Sequence, residues 1–246
     1  EKKLRQGLEV NNISLLIISC YRPLGNLKYI KNLNKHSLDK RLIALHIEEV
    51  NCEKFISRKI PSLGTIINPI SSKVRQQYEE NPYPRWISTP IYSKPLSVYE
   101  ALKNSGLRVN NRLKQISNPT VLVAGCGTGK NAILSRVRFK NSKVTAIDLS
   151  LASLSYAKRK TDEFCVKNIT FFHSDILHLP NEPIKFDIIE SVGVIHHMEK
   201  PVEGLKCLLS TLKPRGLIKL GLYSNIARQV IVKARRSFDD QKFIGT

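Results

Sequence analysis

The stretch from Thr120 to Lys130, T-V-L-V-A-G-C-G-T-G-K, constrains the fold more than any other part of the chain. Val121 to Ala124 is a short apolar run of strand composition. Three glycines follow at alternate positions (Gly125, Gly127, Gly129), and Asn131 to Phe139 has the residues of a helix. Strand, glycine turn and helix is how an open α/β sheet offers backbone N–H groups to a ligand at a helix N-terminus. Glycine suits such a turn because a Cβ would oppose positive φ and hold the ligand away from the backbone.

The spacing tests this turn against other glycine motifs. A phosphate-binding P-loop needs glycine five residues before its Gly-Lys pair and Ser or Thr after it. Ala124 and Asn131 stand there instead. The dinucleotide fingerprint G-x-G-x-x-G needs its third glycine at position 130, which is Lys130.

From Thr120 onward strands alternate with helices, the pattern of a parallel sheet. Further strands are expected at Lys143–Ile147, Ile169–Phe172, Phe186–Ile189 and Leu217–Tyr223. A helix capped by Ser150 should bury Leu151, Leu154 and Ala157. Another opens near Pro201, with the stripe Val202, Leu205, Leu208, Leu209 and Leu212. Lys213-Pro214-Arg215-Gly216 reads as the turn into the last strand, and a basic helix over about 226–238 closes the chain. Upstream, residues 1–60 read as helical, and Pro61, Gly64 and Pro69 mark a linker. A short helix from Ser71 through Tyr78 should end at Asn81-Pro82-Tyr83-Pro84, because residues before proline avoid the α region. Another is expected over Leu96–Asn104. The expected division is a helical segment (1–70), a linker or lid (71–118) and an α/β core (119–246).

Two acids stand at predicted strand ends. Asp148 ends the second strand, 23 residues after Gly125, where a carboxylate can accept hydrogen bonds from both ribose hydroxyls of an adenosine cofactor. Asp175 follows the third strand and suits the adenine amino group, with Ile176 against the ring. The alternative is that both acids cap turns.

In order along the chain, V-L-V-A-G-C-G-T-G, V-T-A-I-D-L-S, H-S-D-I-L, F-D-I-I-E-S-V-G-V-I-H-H-M and L-K-P-R-G-L-I-K-L resemble the motifs of class I S-adenosylmethionine (SAM)-dependent methyltransferases. The resemblance spans Thr120 to Tyr223. It implies a Rossmann-like α/β fold, a mostly parallel sheet with helices on both faces, behind a mainly helical N-terminal segment. It also implies SAM as cofactor, held by Gly125, Cys126, Gly127, Gly129, Asp148, Leu149, Asp175, Ile176 and Glu190. Many members carry an acid two residues before the first glycine, where this chain has Val123. Q-Q-Y-E-E-N-P-Y-P-R-W (Gln76–Trp86) and G-L-Y-S (Gly221–Ser224) resemble a bacterial subfamily associated with tetratricopeptide repeats, which implies an upstream helical region able to recruit protein partners. The family's sheet ends in an antiparallel hairpin for which 23 residues after Tyr223 are too few, so the chain is expected to be a fragment.

Methyl transfer from a sulfonium is an in-line displacement, governed by positioning and exclusion of water. A general base matters only where the acceptor must lose a proton. His196 and His197, just past the fourth strand, are the candidates, and local shaping of the loop is the alternative. Tyr78, Tyr83, Arg85 and Trp86 form a lid over the cofactor or a wall of the acceptor pocket, or else Tyr and Trp pin the helical segment to the sheet. The acceptor is a small molecule or a protein side chain.

Composition bears on partners. The formal charge is +20, divided as 20 basic and 9 acidic residues in 1–118 against 20 and 11 in 119–246. A charge spread so evenly argues against a nucleic-acid-binding arm. Apolar runs are too short to span a bilayer, and five scattered cysteines without a C-x-x-C pair suit a reducing cytoplasm and argue against structural zinc. Two other functions are open at this point: a non-catalytic module of the same fold, and a nicotinamide-dependent oxidoreductase, against which Lys130 and Asp175 speak.

Overall fold

A computed structural model describes residues 2–8, 10–33, 39–91, 94–181, 183–224 and 226–240. The N-terminal part contains α1 (Lys2–Arg5), α2 (Asn12–Ser19), two short 3-10 turns and α3 (Lys40–Ile43). A π-helical turn, Ala44–Glu48, carries α3 straight into α4 (Glu49–Ser57). Leu15, Leu24, Leu27, Leu42 and Ile47 give this part its own small core.

Next come α5 (Pro69–Glu80) and α6 (Val98–Lys103). Asn68 caps α5 by accepting from Ile70 and Ser71 N–H, and Pro69 occupies its first turn, where a missing N–H costs nothing. The helix ends at Asn81, before Pro82. α6 opens on a capping box between Ser97 and Glu100. It starts later than expected because Leu96 pairs with Phe139 in an isolated bridge.

The core follows as β1 (Thr120–Ala124), α7 (Lys130–Arg138), β2 (Lys143–Asp148), α8 (Leu151–Glu163), β3 (Ile169–His173), β4 (Phe186–Val192), α9 (Pro201–Ser210), β5 (Leu212–Gly221) and α10 (Gln229–Asp240). The strands form one sheet in the order β3-β2-β1-β4-β5, every pair parallel. Period-two alternation sends Val121 and Val123 to the face covered by α7 and α8, and Leu122 and Ala124 to the face covered by α9. Both faces are therefore apolar, as a parallel sheet between helices requires. The fold is the Rossmann-like one expected.

Two local expectations are corrected. The stripe of α9 is narrower, since Val202 and Leu209 are exposed. The buried face is centred on Gly204, Leu208 and Thr211, and Gly204 lets the helix approach Met198, whose Sδ would lie 2.3 Å from an added Cβ. Lys213–Gly216 is a bulge inside β5 rather than a turn before it: Phe186 pairs with Leu212, then Ile188 with Leu217, and Arg215 takes φ 67° in the extra loop. The linker also contributes to the sheet edge. Ser62 bridges His173 in parallel, with Leu63 N–H donating to the His173 carbonyl and His173 N–H to that of Pro61.

The N-terminal helices are fastened to α8 by charge. Arg159 pairs with Glu49 at 2.7 Å and Glu53 at 2.9 Å on α4, and Glu53 also pairs with Arg85 at 2.9 Å. The Arg159 and Glu53 side chains are largely buried, and each keeps a second partner, so the seam is a charge network rather than a single pair.

Candidate functional site

Because the strands are parallel, the carboxyl ends of β1, β2, β3 and β4 gather along one edge of the sheet, beneath α5. A cavity of about 470 Å³ lies there, within the range that ligand sites occupy.

Its floor is the glycine turn. Gly125, Gly127 and Gly129 have φ of 71°, 52° and 83°. Gly125 and Cys126 N–H both donate to the Ile147 carbonyl, which ties the turn to β2. The three glycines differ in what surrounds them. A Cβ at Gly125 would lie 2.3 Å from Val194, and one at Gly129 would lie 2.4 Å from the Ala157 Cβ. At Gly127 the nearest atom is 4.0 Å away, because that position faces the cavity. Gly129 caps α7 and packs on α8 without lining the cavity.

Asp148 stands beside this turn. One oxygen accepts from Gly127 N–H at 2.7 Å and the other from Ser150 N–H at 2.9 Å. Burial pushes its carboxyl above the ordinary range, and the backbone N–H bonds pull the other way. Leu149 lines the cavity, its carbonyl held by His173 Nε2 at 2.9 Å. Asp175 and Ile176 close the β3 side. Asp175 is buried and accepts from Leu177 N–H at 3.0 Å, so it caps its own turn while lining the cavity. Cys126 lines the floor, its thiol held well above the usual range by burial and then by Asp148.

Glu190 is a correction. It lies on the face toward α7, level with Val123 and Ala146 and two residues short of Val192, where β4 reaches the cavity. It is buried there, accepts from the Ser135 hydroxyl at 2.7 Å, faces Lys219 at 3.8 Å and lines no part of the cavity.

The roof is α5. Asn68, Ile70, Ser71, Val74 and Tyr78 face down into the cavity, and Tyr83 follows at its mouth. Burial, then the charges of Asp148 and Tyr223, push the Tyr78 hydroxyl up. Arg85 and Trp86 take the pin arrangement. Trp86 packs between Tyr156 and Phe164, and its indole donates to the Thr128 carbonyl at 3.0 Å. Arg85 lies over the Tyr156 ring and pairs with Glu53. Neither lines the cavity.

Past β4, His197 lines the cavity and His196 does not. The His196 ring lies between those of His197 and Tyr223, at 4.3 and 4.0 Å, and Arg228 covers Tyr223. Neither ring nitrogen of His196 has a hydrogen-bond partner. Burial, then His197 and Arg228, lower its pKa. Sequence reasoning assigned no role to Glu79 or Thr128, which fasten the roof, though both lie within motifs it singled out.

Residues 121–216 match the family described as a methyltransferase domain. That match covers most of the α/β core, from β1 into β5, and leaves the N-terminal helices and α5 outside it. A protein of unassigned function from a Synechococcus strain is 36% identical over 124 residues, covering 49% of this chain and 29% of the relative. A malonyl-[acyl-carrier protein] O-methyltransferase of Halalkalibacterium halodurans is 26% identical over 160 residues, covering 60% and 57%. The chain thus spans between about a quarter and somewhat over half of the length of the relatives first matched. Among solved structures, PKMT2 of Rickettsia typhi in complex with AdoHcy superposes with TM-score 0.48 at 24% identity, over 67% of this chain and 31% of that one.

The cavity suits a nucleoside cofactor on its own chemistry. The Gly127 backbone is bare toward the space, and two acids at neighbouring strand ends can accept from hydroxyl and amino groups. Among the described residues no group of His, Cys, Asp and Glu is placed to hold a metal, and no helix is long and apolar enough to cross a membrane.

Proposed function

We propose that the chain transfers a methyl group from SAM to a small-molecule or protein acceptor that enters between Tyr83, His197 and Tyr223. One observation carries this reading. The glycine turn, Asp148 and Asp175 open on the same cavity as His197 and Tyr223, so a cofactor seat and an acceptor mouth share one space.

SAM supplies an activated methyl group on a sulfonium. The protein's part is to hold and shield. Asp148 accepts from the ribose, Asp175 from the adenine, and Ile176 and Leu149 cover the base. α5 keeps water out from above, which favours a displacement that gains little from acid–base help. His197 takes a proton from an acceptor hydroxyl where one must leave. Relatives named as malonyl-[acyl-carrier protein] and ubiquinone-biosynthesis O-methyltransferases support an oxygen acceptor. The Gln76–Trp86 strap supports placement in the repeat-associated subfamily, with the N-terminal helices as the partner-facing side. Free cysteines suit the reducing cytoplasm.

Calorimetric titration with SAM and with NAD tests the cofactor, and radiolabelled methyl transfer to candidate acceptors tests the reaction. Saturable SAM binding that Asp148→Ala abolishes is expected, and His197→Ala should slow transfer about a hundredfold to an acceptor that must lose a proton. A folded chain that binds NAD and not SAM would overturn the reading. SAM binding with no transfer to any acceptor would point to a binding module.

A further inference from the structure

Glu79 follows Tyr78 on α5 and turns away from the cavity that Tyr78 lines. Its two carboxylate oxygens accept from the backbone N–H groups of Leu151 and Ala152, the latter at 3.2 Å. These are the first two residues of α8, whose cap Ser150 serves Ser153 instead. The first turn of α8 is therefore satisfied by two elements, its own cap and the roof helix. A carboxylate here also meets the positive end of the helix dipole.

The backbone that Glu79 grips begins three residues after Asp148. Asp148 itself grips Gly127 and Ser150, and His173 holds the Leu149 carbonyl. The strap that follows α5 is fastened by the Thr128 hydroxyl, which donates to the Pro84 carbonyl at 2.7 Å. The C-terminal end of the roof is thus clamped directly to the loop of the second-strand acid and, through the strap, to the glycine turn.

Resting on the SAM reading above, we propose that Glu79 is a positioning residue that couples closure of the α5 roof to the shape of the Asp148–Ala152 loop. The clamp forms when that loop has the shape in which Asp148 faces the cofactor. The roof then retains bound cofactor, and breaking the clamp lets it escape.

The test uses the full chain, with Glu79→Gln and Glu79→Ala, and with Glu80→Gln as control. Glu80 lies on the same helix, is exposed and, among the described residues, accepts from Gln76. Hydrogen exchange without ligand should show faster exchange at residues 68–80 and 149–153 in both Glu79 variants and not in the control. Stopped-flow binding of S-adenosylhomocysteine should show a dissociation rate raised about tenfold by Glu79→Ala, with the association rate unchanged or higher, and a smaller rise for Glu79→Gln. Unchanged dissociation in folded variants would overturn the proposal. So would a loss confined to association that tracks a lowered melting temperature, since that is the mark of a purely structural role. Absence of binding by the unmutated chain would overturn the cofactor reading and this coupling with it, whereas altered exchange alone would show a clamp without coupling and overturn only the coupling.

Discussion

The Trp86 indole donates to the Thr128 carbonyl, and the Thr128 hydroxyl donates back to the Pro84 carbonyl, two residues before that tryptophan. Residues 42 and 44 apart in sequence thus close a reciprocal pair between the proline strap and the glycine turn. Tyr156 adds a hydroxyl bond to the Trp86 carbonyl from α8. The strap is held by packing and by polar bonds that point in opposite directions.

Trp86→Phe keeps the ring stack and leaves the Thr128 carbonyl without its partner. We expect a loss of about 1–2 kcal/mol in denaturant unfolding, and about 3–5 kcal/mol for Trp86→Ala, which also opens a cavity. Equal stability of Trp86→Phe and the parent would show that water replaces the indole at no cost.

Gly127→Ala and Gly129→Ala separate the binding and packing roles of the turn. Position 127 has room for a methyl group, so its cost is the left-handed backbone alone, about 1–2 kcal/mol. The methyl would stand in the cavity, and SAM affinity should drop at least tenfold. At Gly129 the methyl meets Ala157, so stability should fall further than at 127. Thermal melts and calorimetry on both variants decide the matter, and the reverse order of stabilities would contradict this assignment.

Asp148 should make cofactor binding depend on pH. Its folded pKa is raised by burial, so the neutral acid is the form the ligand-free fold favours. That contribution to stability is full below the unfolded pKa, near 3.8, and is lost as pH rises through the folded value. Ribose hydroxyls donate best to the ionised form. S-adenosylhomocysteine affinity should therefore fall as pH drops from 7 toward 4, with proton release on binding in that window. Asp148→Asn should bind about tenfold to a hundredfold more weakly and without this slope. A dissociation constant flat across that range in the parent would remove Asp148 from the ribose site.

His196 should set part of the acid sensitivity of folding. Its folded pKa lies below the unfolded value of 6.5, so the neutral ring stabilises the fold. That share is full above about pH 6.5 and is lost as pH falls through the folded value. His196→Phe should keep the stack on Tyr223 and flatten the decline in melting temperature between pH 7 and 5. Parallel declines in the two proteins would place the acid sensitivity elsewhere.

The sequence by itself determined the sheet, the turn and the two strand-end acids. Those features are local: alternation along a strand, a left-handed backbone that admits glycine, and an acid at a strand's carboxyl end. Tertiary structure decided what could not be local. Glu190 follows the same strand logic as Asp148, yet it sits two residues short of the end of β4, where Ser135 takes it up and the cavity does not reach. Tyr78 and Glu79 are adjacent, and only the placement of α5 over α8 makes one a wall and the other a clamp. Trp86 and Tyr83 sit three apart in one motif. The strap's route between the glycine turn and α8 buries the first and leaves the second at the mouth. A sequence records which groups a segment carries, and packing between distant segments decides which way each one faces.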